Sequence, residues 1–158
     1  QFLQMTDWGD LDFLVVDMPP GTSDAPLTVM QTLQMDGFVA VTTPQTLAGL
    51  DARRSINMVK KLNVEVLGVV ENYTGDVFGS GAGKALADDM GLTYFGELAL
   101  RADYRNDEKP TVLISDDVRA EYDTIWAGIK ARLTEIEAMP NQVAAAMAAE
   151  DAAESEAK

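Results

Sequence analysis

Apolar residues in this chain come in short, nearly continuous runs separated by stretches of helical period. Leu11–Asp17, Gly37–Thr42, Val64–Glu71 and the weaker Leu92–Gly96 are apolar on both faces. That is the pattern of strands buried inside a parallel sheet. The first run stops at Pro19-Pro20-Gly21, the second at Pro44 and the third near Asn72, residues that end a ladder or turn the chain. Between the runs, Ala48, Ala52, Ile56, Val59 and Leu62 recur at spacings of 4, 4, 3 and 3, one stripe of a helix. Leu27–Leu33 and Ala82–Met90 read as shorter helices. Val118, Tyr122, Ile125, Ile129, Leu133 and Ile136 give the clearest helix, with Ser115 as its cap and Asp116 and Asp117 as first-turn acids. Strand–helix–strand alternation of this length predicts an α/β, doubly wound, mainly parallel sheet with flanking helices. From Pro140 the composition turns to Ala, Glu, Asp and Ser. The expectation is therefore one domain over 1–138 and an acidic, Ala-rich, disordered tail over 139–158.

At 158 residues and 47% hydrophobic content there is material for one core. Twelve Lys and Arg against 26 Asp and Glu leave a net charge of −14. Such a surface repels phosphate backbones and anionic lipid, which argues against nucleic-acid or membrane-surface partners. No run of about 20 apolar residues exists to span a bilayer, and a cytoplasmic protein is expected. With no Cys and no His, thiol nucleophiles, thiolate or imidazole metal sites and Ser-His-Asp triads are excluded. Chemistry is left to carboxylates, hydroxyls, amines, backbone amides or a bound ion. The chain opens on Gln1 and reads as the later part of a longer protein.

In an open parallel sheet, ligands bind beyond the carboxyl ends of the strands. Three polar clusters stand there: Asp17–Asp24, Thr42–Gln45 and Glu71–Thr74. A carboxylate at a strand tip, such as Asp17, can hold Mg²⁺ or its water beside a phosphate, and a turn at Gly21 exposes N–H groups to an anion. The alternative for Asp17 is a cap on the turn, and for Asn72 a residue that ends the strand. Gly79-Ser80-Gly81-Ala82-Gly83-Lys84-Ala85 fails as a phosphate loop, because Phe78 stands at the first glycine position and Ala85 at the metal-binding hydroxyl. Asn72-Tyr73-Thr74 fits a glycosylation sequon. Arg53 and Arg54 read as a solvated helix face, Trp8 and Trp126 as packing aromatics, and Met18, Met30, Met35 and Met58 as gap fillers.

Leu11 through Asp24, with Asp17-Met18-Pro19-Pro20-Gly21-Thr22-Ser23-Asp24 at its end, resembles the Walker B and switch II segment of the Mrp/ApbC family. These are MinD/ParA-like P-loop ATPases associated with iron–sulfur cluster assembly and carriage. Val41–Gln45 with Leu50–Met58 resembles the next family block, and Gly68–Tyr73 with Val77–Gly83 a third, so that the likeness runs from about Trp8 to Pro110. The resemblance implies ATP and Mg²⁺ as cofactors. It makes Asp17 the Walker B carboxylate that holds the Mg²⁺ water shell, and Asp24 a residue that orients the attacking water. Gly21 becomes the switch II glycine near the γ-phosphate, with Thr22 in the same nucleotide-binding loop, and Asn72 faces the adenine edge. It also implies a homodimer in the complete protein and protein clients or apo-protein acceptors.

Two departures qualify this. The family's Walker A loop, rich in glycine with a catalytic Lys, should precede Leu11, and the 158 residues contain none. Cluster-carrying relatives place a Cys-x-x-Cys pair between Asn72 and Phe78, where this chain has Tyr73-Thr74-Gly75-Asp76-Val77. Oxygen ligands do not replace thiolates for such a cluster, which argues against direct cluster binding by that route. The expected function is an ATP-binding or ATP-hydrolysing protein of the Mrp-like group. The alternatives are a MinD/ParA-like, non-enzymatic regulatory or scaffold protein, or an inactive truncated product.

Overall fold

A computed structural model describes residues 5–18, 24–33, 35–106 and 108–156, the side chains of 24, 25 and 140–156 excepted. Three parallel strands form the sheet: β1 (Phe38–Thr42), β2 (Val66–Thr74) and β3 (Thr93–Ala99), in spatial order β1-β2-β3. The helices are α1 (Asp24–Thr32), α2 (Thr46–Lys61), α3 (Ala82–Met90) and α4 (Asp116–Glu156). Two 3₁₀ turns, Ala102–Arg105 and Thr111–Leu113, lead from β3 into α4. Pro26 is buried in the first turn of α1, where its missing N–H costs nothing.

Because α2 and α3 lie on one face and α4 on the other, both faces of β2 are buried, which is why its sequence does not alternate. The first face buries Met30, Ile56, Val59, Val69 and Leu86. The second buries Leu67, Val70, Phe95, Leu98 and Ile125, with Ile129, Leu133 and Ile136 of α4 packed over them. Ala52, Ile56 and Val59 of the predicted α2 stripe and Val118 and Ile125 of the α4 stripe are buried, whereas Tyr122 is exposed. The architecture is the doubly wound α/β class that the alternation implies.

Two elements differ from expectation. Leu11–Asp17 forms no strand; Leu11, Phe13, Leu14 and Val15 are exposed, Val15 by 82%. An all-apolar run becomes a strand only when a ladder partner takes its backbone groups, and no strand among the described residues pairs with it. Side-chain packing ties it to the described residues: Phe13 meets Trp126 of α4 edge to face, centroids 4.8 Å apart, and Met18 just beyond it packs on the α2–α3 side of the core. The second difference is α4, whose backbone stays helical to Glu156 through the stretch that composition marks as a disordered tail. Alanine carries the highest helix propensity, so a helix can persist there without an apolar stripe.

Candidate functional site

Parallel pairing in register brings the carboxyl ends of the strands to one edge. Thr42 of β1 stands opposite Glu71 of β2, Glu71 opposite Glu97 of β3, and Asn72 opposite Leu98. Two of the three polar clusters are thereby joined. Thr42 and Glu71 both close on Gly83 of α3: a Cβ built there would sit 2.7 Å from the Glu71 Cβ and 3.3 Å from the Thr42 Cγ2. Only glycine fits that approach.

Glu71 is a residue whose part the sequence reading leaves unassigned. Its side chain is fully buried, at 0% exposure. The backbone N–H groups of Gly81 and Ala82 donate to its Oε2 and Oε1, each at 2.9 Å, and the Tyr94 hydroxyl donates to Oε2 at 3.4 Å. A carboxylate at a helix N-terminus satisfies orphan donors and complements the dipole. Here it lies 10 residues upstream of Gly81 in sequence, at the end of a strand. The only signal for it was an acid closing an apolar run. This contact also explains why the Gly79–Ala85 segment is no phosphate loop: the donors an anion would take are already held by Glu71.

Burial and the charges of Glu71 and Glu97 push the Tyr94 phenol well above its ordinary pKa. Across the edge, Arg101 follows β3 and pairs with Glu121 and Asp117 of α4, and Glu121 Oε2 accepts the Ala99 N–H at 3.3 Å. Hydrogen bonding to Glu121 outweighs burial and keeps this guanidinium charged. It locks β3 to α4.

Asn72 is half-buried on β2, and its Oδ1 accepts the N–H of Tyr73 at 2.9 Å. That leaves its Nδ2 hydrogens and one lone pair for another partner. Tyr73 follows in the left-handed region, φ 61°, and Thr74 is 2% exposed. A buried threonine inside a strand is a poor sequon, so this reading of Asn72 loses its support. Past Thr74, Gly75 and Gly79 exchange two hydrogen bonds of 3.0 and 2.7 Å, closing a hairpin with Val77 and Phe78 exposed at its tip. This hairpin stands where the resemblance expects paired cysteines.

Asp17 is exposed, and no described contact joins it to Thr42 or Asn72; Met18 beside it reaches the core under α2 and α3. Gly21 and Thr22 lie outside the described residues. Asp24 opens α1, its side chain likewise outside. Arg53 is less solvated than its sequence suggests, pairing with Asp89 of α3, whereas Arg54 pairs with Asp51 on the open face. A cleft of about 320 Å³ opens between the first turns of α2 and α3, lined by Pro44, Thr46, Leu50, Arg53, Ala82 and Leu86. A larger one, about 470 Å³, lies at the opposite edge, where Arg132 is paired with Glu65. The carboxyl edge is the one where strand-end side chains gather, and it is preferred on that ground.

A parallel sheet between helix layers, with polar strand ends collected at one edge, defines a protein of the doubly wound α/β class. The chain belongs to the family whose model is described as ParA: NUBPL iron-transfer P-loop NTPase, which matches residues 1–133. An iron-sulfur cluster carrier protein of Pseudomonas fragi is 43% identical over 126 residues, 72% of this chain and 44% of that one. The Escherichia coli protein of the same description is 38% identical over 144 residues, 84% of this chain and 39% of its own length. The cytosolic Fe-S cluster assembly factor CFD1 of Kluyveromyces lactis is 41% identical over 113 residues, 63% of this chain and 40% of its own. The chain thus spans less than half the length of these curated relatives. Among solved structures, an Archaeoglobus fulgidus nucleotide-binding protein in complex with ADP superposes with a TM-score of 0.55 at 35% identity, covering 72% of this chain and 48% of that one.

Proposed function

We propose that this chain supplies the switch and base-recognition side of an ATP-binding P-loop NTPase that works in iron–sulfur cluster assembly or carriage. The observation that carries the reading is the convergence of Thr42, Glu71 and Asn72 at the carboxyl edge of a parallel sheet, within a stretch matched by the family. The relatives named as cluster carriers and the ADP-bound neighbour support it.

Two of the described side chains have the chemistry this reading needs. Asp17 is an exposed hard oxygen donor, and Mg²⁺ prefers carboxylate and water oxygens. Asn72 keeps amide hydrogens and a lone pair free for a base edge. Mg²⁺, when bound, neutralises phosphate charge. This chain's part is to hold the metal's water shell with Asp17 and to orient the attacking water with Asp24. Gly21 and Thr22 would present donors to the terminal phosphate, and Asn72 would fix the base. Homodimerisation and transfer to apo-protein acceptors belong to the same reading, in the cytoplasm.

The cluster itself is cargo, and this chain's hairpin does not suit it. Where thiolates are required, Tyr73, Thr74 and Asp76 offer only oxygen. Ligands must come from elsewhere in the assembly, or the nucleotide cycle serves a scaffold that carries no cluster.

Asp17→Asn in the full-length gene product tests the proposal. ATP turnover dependent on Mg²⁺ should fall by about two orders of magnitude or more, with an unchanged circular dichroism spectrum. Turnover equal to wild type removes Asp17 from the site. Anaerobic reconstitution of this chain with iron and sulfide should leave it without a stoichiometric cluster, and a full complement of both would refute the cysteine argument.

A further inference from the structure

The chain leaves β2 at Thr74, closes the Gly75–Gly79 hairpin and returns at Gly81, where α3 begins. The outgoing end is held at Thr74, whose carbonyl accepts the Leu100 N–H at 2.9 Å. The returning end is held by one side chain, the Glu71 carboxylate on Gly81 and Ala82. Glu71 is also the residue directly before Asn72. One end of the excursion is therefore fixed two residues after Asn72, and the other by the residue directly before it.

We propose that Glu71 is a positioning residue that couples the Asn72 side chain to the hairpin at Tyr73–Ser80, so that the two shift together. The proposal rests on the assignment of Asn72 to the base.

A fully buried carboxylate is a costly choice if α3 needed only a cap, since exposed Ser, Thr, Asp or Asn at the helix start does that work. A two-oxygen acceptor facing two adjacent N–H groups fixes distance and orientation together. Gly83 lets α3 press directly on the Glu71 stem, and the Tyr94 hydroxyl restrains Oε2 from the β3 side. Asn72 is bonded to the N–H of Tyr73, which sits at φ 61°, a conformation a non-glycine residue keeps only when its surroundings impose it. A force on the exposed Val77–Phe78 tip thus reaches Asn72 from both sides: through Tyr73, and through Gly81 and Glu71.

Amide hydrogen exchange and ¹⁵N chemical shifts of the 158-residue chain test this without nucleotide. Glu71→Gln keeps the volume but turns one acceptor into a donor facing an N–H. Exchange at Gly81 and Ala82 should rise at least about 10-fold, by the loss of a charge-assisted bond. The Asn72 side-chain amide and the Gly75 and Gly79 amides should shift in the same variant. Gly79→Ala perturbs the loop from its other side, being strained at φ 80° on an exposed turn that leaves the core untouched. It should move the Asn72 amide and the Gly81 amide together. Changes confined to residues 81–84 in the first variant, or to 75–80 in the last, would show that Glu71 is only a helix cap. An intact coupling, with ATP affinity of the full-length gene product unchanged by Asn72→Ala, would instead overturn the assignment of Asn72.

Discussion

Gly83 and Glu71 touch backbone to side chain, with no room for a methyl group between them. Gly83→Ala gains about 1 kcal/mol of helix propensity but forces overpacking that costs about 1–3 kcal/mol. The partner atom is a Cβ, which cannot swing aside. Net destabilisation is expected, and urea titration should show a lower midpoint at unchanged slope. A midpoint at or above that of wild type would contradict the contact.

Phe13 and Trp126 attach the Leu11–Asp17 segment to α4. A double-mutant cycle on Phe13→Ala and Trp126→Ala should return a coupling of about 0.5–1.5 kcal/mol, the range for edge-to-face aromatic pairs. Lys130 over the Trp126 ring, 5.7 Å from its centroid, adds a cation–π contact that Lys130→Met would remove. Strict additivity of the two alanine variants would mean that the segment lies elsewhere in solution.

Tyr94 supplies the pH prediction. Its phenol is raised in the folded protein by burial first, then by the Glu71 and Glu97 charges. A group whose folded pKa exceeds its unfolded value contributes stability in full below the unfolded value, about 10 for tyrosine. That contribution declines as the pH rises beyond it, because the unfolded chain releases the proton more readily. Melting temperature should therefore drop more steeply above about pH 10 in wild type than in Tyr94→Phe. Parallel curves for the two proteins would sink the assignment.

The stretch after Met139 is proposed to lie outside the folded domain. The described side chains complete two buried clusters by Ile136, and from Pro140 the composition is mostly Ala, Glu, Asp and Ser. Deleting 140–158 should move the melting temperature by no more than about 2 °C, the shift that half a kcal/mol produces in a chain of this size. A loss of 5 °C or more would place part of the tail in the core.

Much of the fold was legible because burial writes itself into periodicity. Ile56, Val59, Val118 and Ile125 lie at helical spacing and end up buried, and the Val66–Val70 run is apolar throughout because both its faces are covered. Leu11–Asp17 carries the same signature yet forms no strand, since composition records the wish to be buried and is silent about whether a ladder partner is at hand. Asn72 could be marked as a strand-end amide, and β2 runs two residues past it to Thr74. Glu71 escaped assignment because its partners, Gly81 and Ala82, are backbone groups that any residue would supply.

Local pattern and motif sufficed to determine the alternation of strand and helix, the acidic surface, the lack of thiol and imidazole chemistry, and the family likeness. Each depends on residues near one another in the chain or on their simple count. Tertiary structure alone decided that Thr42 and Glu71 would meet at Gly83, that a carboxylate would occupy the start of α3, and that the hairpin after Asn72 would close on itself. These depend on strand register and on a helix approaching to within contact of a sheet, distances that no stretch of sequence contains.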